Sequence, residues 1–215
     1  IIAFAFLTAP VIHQEEVLAL TLLDSLLMDH DASPLRQALL QSRLCTQAGS
    51  SIDPEMSEVP WVLVCKGCEA KDSEALKEFL FKRLEELSKH TFPQEQIEAS
   101  LHQLEFERTE INNEEGPFGL TLFMRSALLA QHGALPEQGL LIHTLFNALR
   151  AKLADPFYLP HLIQHYFLEN PHFVHLTLEP DKKLEEEEAA EERKRLDQIR
   201  DALTPEEEGK IIAQA

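Results

Sequence analysis

The chain reads as an α+β domain, an antiparallel or mixed sheet with helices packed on one face, followed by a charged helical segment. Three observations predict this. Short β-branched and aromatic runs open the chain, recur at 45–68 and return at 173–178; helical periodicities fill the intervals; and the composition turns sharply charged after Pro180.

Residues 1–8 are rich in Ile and Phe and end before Pro10, the pattern of a buried strand. From 15 to 30, Leu20, Leu23 and Leu27 recur at helical spacing, and Glu15 and Glu16 occupy the first turn, where the helix dipole favours acids. Ser33 and Pro34 supply an N-cap and a first-turn proline for a shorter helix through Leu44. Residues 45–52 and 59–68 follow as two strands expected to pair antiparallel, because Trp61-Val62-Leu63-Val64 is too short and too β-branched for a helix.

A helix starts after Asp72-Ser73 with Leu76, Phe79, Leu80, Leu84 and Leu87 on one face, and Phe92-Pro93 ends it. The next helix carries Ile97, Leu101, Leu104 and Ile111 and stops near Asn112-Asn113 and Gly116-Pro117. Helices are then expected at 118–131, 138–153 and 158–168. Residues 173–178 alternate with the period of a half-buried strand, Val174, Leu176 and Leu178 forming the apolar set expected to face the helices. The domain is therefore drawn as 1–181, with 182–215 a charged helical linker whose Thr204-Pro205-Glu206-Glu207 restarts a second helix.

Composition excludes several function classes. With 19 Lys and Arg against 37 Asp and Glu, the net charge of −18 would repel a phosphate backbone, so nucleic acid and anionic membrane are not expected partners. The apolar opening, broken by His13 and Glu15, falls well short of the roughly 20 residues of a spanning helix. Three cysteines are too few for a disulfide scaffold and suggest a reducing compartment, the cytoplasm or alternatively an organellar matrix. The chain begins on Ile1 without an initiating methionine and is read as a piece of a longer polypeptide.

Four groups of residues invite a chemical reading. His161 and His165 have the i, i+4 spacing that can hold zinc, but no third ligand lies nearby, and His172 and His175 fall on different faces. Cys65-Lys66-Gly67-Cys68 has knuckle spacing without a second Cys-x-x-Cys, so Cys65 is read as core and Cys68 as turn. His13-Gln14-Glu15-Glu16-Val17 nearly spells the inverted zinc-protease motif His-x-x-Glu-His, but Val17 offers no ligating atom. No phosphate loop or nucleophile elbow is present, so the sequence assigns no catalytic and no metal-ligating residue and leaves substrate contacts unknown.

Four segments together resemble the presequence-protease branch of the pitrilysin/insulinase family of zinc metallopeptidases. Ser33-Pro34-Leu35-Arg36-Gln37-Ala38-Leu39-Leu40-Gln41-Ser42 is similar to that branch's Ser-Pro-Leu-Arg-x-x-Leu-Leu-x-Ser helix. Gly119-Leu120-Thr121-Leu122-Phe123-Met124-Arg125-Ser126 resembles its Gly-Leu-x-Leu-x-x-Arg-Ser helix start, and Asn170-Pro171-His172 through Pro180-Asp181 its closing strand. The acidic stretch after Asp181 resembles the hairpin joining the halves of the enzyme. The family follows Leu-Leu-x-Ser with Gly-Leu-Gly, where this chain has Arg43-Leu44-Cys45.

The resemblance implies a clamshell of four related α/β domains that degrades unstructured peptides in a closed chamber. It implies a zinc site in the first domain, and this chain resembles the second, so zinc is expected in the full-length enzyme and none on this chain. The expected partners are the other domains of the same polypeptide and peptide substrates. Two other readings are a stand-alone interaction scaffold using the charged helices and a small metal- or thiol-dependent protein using His161, His165, Cys65 and Cys68.

Overall fold

The computed structural model describes residues 1–111 and 117–214. They form two compact units, Ile1–Leu178 and Glu179–Ala215.

In the first unit, strands β1 (Ile2–Pro10), β2 (Gln47–Ile52), β3 (Glu58–Lys66) and β4 (Phe173–Thr177) make one sheet in the order β2-β3-β1-β4, every pairing antiparallel. The alternation in β1 and β3 sends Ile2, Phe4, Phe6, Val59, Trp61, Leu63 and Cys65 to a fully buried face. Helices α1 (Gln14–Met28) and α2 (Pro34–Gln41) contact the sheet; α4 (Gln94–Thr109) and α6 (Ile142–Lys152) pack on α1 and on each other, α3 (Ser73–Ser88) packs on α7 (Tyr158–Ile163), and α5 (Phe118–Gln131) lies between α4 and α6 in sequence. The central helix is α1, which contacts α2, α4 and α6 and is buried on nearly every side from Val17 to Met28. Phe6, Trp61, Phe81, Phe167 and Phe173 make a continuous aromatic cluster between sheet and helices, with ring centroids 4.8 to 6.0 Å apart.

Several expectations are corrected by tertiary context. The apolar set of β4 does not face the helices: Val174, Leu176 and Leu178 are exposed, while Phe173, His175 and Thr177 turn inward. Register decides this. Phe173 pairs with Phe6, His175 with Phe4 and Thr177 with Ile2, and directly paired residues of neighbouring strands share a face. His175 stacks on Phe4 and its Nε2 meets Ser73 Oγ at 2.8 Å, so a hydrogen-bonded imidazole fills an inward position.

Helix α4 ends at Thr109, leaving Ile111 in solvent; the expected stop at Asn112-Asn113 lies outside the described residues. The helix expected from 138 starts at Ile142, after a 3-10 turn at Pro136–Leu140. The expected 158–168 helix changes at Gln164 into a π-helical turn, Gln164–Leu168. Ser33 precedes α2 in extended conformation, but its Oγ accepts the His30 N–H at 3.3 Å and makes no cap bond to the helix.

Arg43 has φ 63°, the left-handed region in which a non-glycine residue is strained by about 1 kcal/mol. It stands where the resembling family has glycine, which adopts this conformation freely.

In the second unit, α8 (Leu184–Ala202) and α9 (Pro205–Gln214) follow one another. Arg200 pairs with Asp197 at 3.0 Å, and Thr204 and Glu207 form a reciprocal capping box: Glu207 accepts the Thr204 N–H at 2.9 Å, and Thr204 Oγ1 accepts the Glu207 N–H at 3.4 Å.

Candidate functional site

The start of α1 is where sequence and geometry both point. Pro10 ends β1, the chain turns through Val11 and Ile12, and His13 takes the N-cap position of α1. A cleft of about 430 Å³ opens there, between the first turn of α1 and the segment leading into and along α6. His13, Glu15 and Glu16 line one side, and Gln138, Leu141 and Lys152 the other.

The two carboxylates and the ammonium at this cleft are engaged. Glu15 pairs with Lys152 at 2.8 Å, and this bond holds the Lys152 ammonium above the usual lysine range. Glu16 accepts the Tyr166 hydroxyl at 2.5 Å, while His13 Nδ1 stands 3.8 Å from the same carboxylate. Burial first, and then the hydrogen bond to Glu16, push the Tyr166 phenol well above its ordinary value. The π-helical turn makes this contact possible. Its wider winding lets the adjacent Tyr166 and Phe167 both turn inward, Phe167 to the aromatic cluster and Tyr166 to Glu16.

Zinc does not fit this arrangement. Val17, one step beyond Glu16, is 3% exposed and packs in the core. The His13 side chain is about half exposed, and Glu16 is engaged by Tyr166. Among the described residues no group of three or more His, Cys, Asp or Glu side chains could hold a metal ion.

The other candidates are dispersed. His161 stands near the Phe157 ring and His165, inside the π turn, against Tyr166; both are exposed. His161 lies in α7 and His165 in the π-helical turn, and among the described residues neither belongs to a group of three or more side chains that could hold a metal ion. His172 precedes β4, its carbonyl accepting the Leu7 N–H, and His175 is on the inward face. Cys65 is fully buried on β3 and Cys68 follows the Gly67 turn, as the spacing suggests. What the spacing misses is that Cys45, distant in sequence, is buried in the same core, its S–H donating to the Leu39 carbonyl at 3.6 Å.

A second polar feature escaped the sequence reading. Asp24, on the inner part of α1, accepts hydrogen bonds from Ser50 Oγ at 2.5 Å and from Trp61 Nε1 at 2.6 Å. A lone acid between leucines at helical spacing gives no signal of these partners. Burial raises the Asp24 carboxyl above the ordinary 3.8, the two hydrogen bonds partly opposing it. In the window from about pH 4 up to the raised folded value, the unfolded chain has released this proton while the folded chain still holds it. Asp24 therefore lowers stability as pH rises through that window. Replacing it with asparagine keeps an acceptor for Trp61 and removes the titration. The melting temperature of D24N, less that of the parent, is expected to grow from pH 4 to 7; a difference independent of pH would contradict the assignment.

Comparison with known proteins places the fold. Residues 1–104 match the family model described as the peptidase M16 inactive domain. The mitochondrial presequence protease of Danio rerio is 29% identical over 209 residues, 96% of this chain and 20% of that protein. Presequence protease 1, chloroplastic/mitochondrial, of Arabidopsis thaliana is 29% identical over 88% of this chain and 18% of its own length. This chain thus spans about a fifth of the curated relatives it matches. The crystal structure of an inactive peptidase domain from Bordetella parapertussis superposes with a TM-score of 0.66 at 17% identity, over 84% of this chain and 92% of that one, which shows a common fold. No helix among the described residues is long and apolar enough to cross a membrane. Residues 1–104 are therefore similar to the peptidase M16 inactive domain, and the sequence is similar along nearly its whole length to one stretch of the presequence proteases.

Proposed function

We propose that this chain is the non-catalytic second domain of a presequence-protease-like zinc metalloendopeptidase, with 1–181 forming part of the wall of a peptide-degrading chamber and 182–215 beginning the helical connection to the other half. The observation that carries this reading is the match of residues 1–104 to an inactive peptidase domain in a chain one fifth the length of its relatives. Val17 supports it, since the α1 position needed for a second ligand is given to core packing. The exposed Val174, Leu176 and Leu178 support it too, as an apolar strip suited to cover by other parts of a longer polypeptide.

In this role the domain contributes geometry. It excludes folded proteins and bulk water and holds an extended peptide near a zinc that a neighbouring domain supplies. Its negative charge raises the local concentration of basic peptides, an attraction that salt screens over about 10 Å at 0.1 M. The names of the relatives favour an organellar matrix as the compartment. In the complete enzyme, kcat/KM for a basic unstructured peptide should fall more steeply with added salt than for a neutral peptide of equal length. Equal salt dependence would reduce the acidic surface to a solubility role, and efficient cleavage of a large folded protein would overturn the chamber.

A further inference from the structure

The inward face of the sheet is core, and strand register orders the outward face into two rows. Gly49, Val64, Ala3 and Leu176 stand side by side across β2, β3, β1 and β4, and Ser51, Val62, Ala5 and Val174 make the next row. Val174 and Leu176 are 61% and 47% exposed, and Ala3, Ala5, Val62 and Val64 are half-buried. Neither row carries a charge, in a chain that is 26% charged.

The relief of this face is a trough. On β1 the outward side chains are alanines, whose single methyls stand lower than Val62 and Val64 on one side and Val174 and Leu176 on the other. The flanking strands β3 and β4 are two strand spacings apart, about 9.6 Å. That is close to the roughly 10 Å diameter of an α-helix with its side chains. The trough runs from Ile1, whose carbonyl accepts the Leu178 N–H at 2.8 Å, to Leu7. This is about 20 Å, the length of about 13 helical residues.

We propose that the trough seats one amphipathic α-helix from another domain of the longer polypeptide, lying along β1 with its apolar stripe on Ala3 and Ala5. The helix comes from the remaining four-fifths of a protein of the relatives' length, and so rests on the chain being one domain of a larger enzyme, as proposed above. A second sheet does not suit the face, because facing sheets interdigitate across their strands and the outward residues of β2 are Gly49 and Ser51. A second copy of the chain does not suit it either, since each carries a net charge of −18 and the two repel. A helix needs only β3, β1 and β4, the three strands whose outward residues are apolar, and its seating removes that stripe from water.

The test places the photo-crosslinker p-benzoylphenylalanine at Val62 or at Leu176 of the longer polypeptide, rim positions that leave the trough free, and maps the cross-links by mass spectrometry. Both probes are expected to reach one segment outside residues 1–215, at residues three, four or seven apart. Both cross-links should be lost in A5W, which fills the trough. Because Ala5 faces outward, A5W should leave the melting temperature of the 215-residue chain within about 2 °C of the parent, so the loss is not one of folding. Cross-links at every second residue of a segment, to a second copy, only within residues 1–215, or none at all would each overturn the proposal. Cross-links to a bound peptide substrate would overturn the helix and leave the chamber wall in place, whereas cleavage of a large folded protein would overturn the chamber and leave the cross-links unchanged.

Discussion

Trp61→Ala is expected to cost about 3–5 kcal/mol of stability, the largest effect of any single substitution considered for this chain. Trp61 is the only tryptophan and is 1% exposed. Its ring lies 4.8 Å from that of Phe167 and 5.8 Å from that of Phe6, so truncation opens a cavity where β1, β3 and the π-helical turn meet. It also removes the Nε1 donor of Asp24, leaving a desolvated carboxylate with Ser50 as its remaining hydrogen-bond partner. Trp61→Phe separates the two effects: it keeps most of the packing, loses the donor, and should cost about 1–3 kcal/mol. Urea unfolding followed by far-UV circular dichroism measures both. A Trp61→Ala loss below about 1 kcal/mol would mean that the aromatic cluster is not the core.

Val17→His completes the letters His-x-x-Glu-His at 13–17, and is expected to damage the fold without creating a metal site. An imidazole placed at a 3% exposed position among leucines has no described partner for its N–H, which costs about 2–4 kcal/mol. The melting temperature should fall by about 6–12 °C for a domain of this size. Zinc should not reverse the loss. A third ligand is wanting among the described residues, and Glu16 already holds Tyr166. Thermal melts with and without zinc measure this; unchanged stability, or a zinc-dependent rise in melting temperature, would contradict the reading of α1 as a packing helix.

What the sequence made legible follows the strength of local signals. β1 and β3 have β-branched or aromatic residues on the inward face and chain punctuation at their ends, so their existence and burial were readable, Trp61 included. The faces of β4 were not. Val174, Leu176 and Leu178 are the more apolar set, yet pairing with Ile2, Phe4 and Phe6 gives the inner face to Phe173, His175 and Thr177. No property of the strand alone contains that register. The π turn was equally hidden, because 158–168 keeps a helical composition while its winding is set by the need to bury Tyr166 and Phe167 together.

The candidate site divides in the same way. The missing ligand at Val17 is a property of one residue and could be read directly. The engagement of Glu16 by Tyr166 and of Asp24 by Trp61 depends on chain segments far apart in sequence, brought together by the sheet and the helices packed on it.

The central claim is that this domain performs no peptidase chemistry of its own. Its most direct test is a zinc and activity measurement on the purified 215-residue chain, dialysed against zinc and then against metal-free buffer. Elemental analysis should find far less than one zinc per chain, and a fluorogenic unstructured peptide should remain intact at high protein concentration, with or without chelator. One tightly held zinc per chain together with chelator-sensitive cleavage would contradict the account.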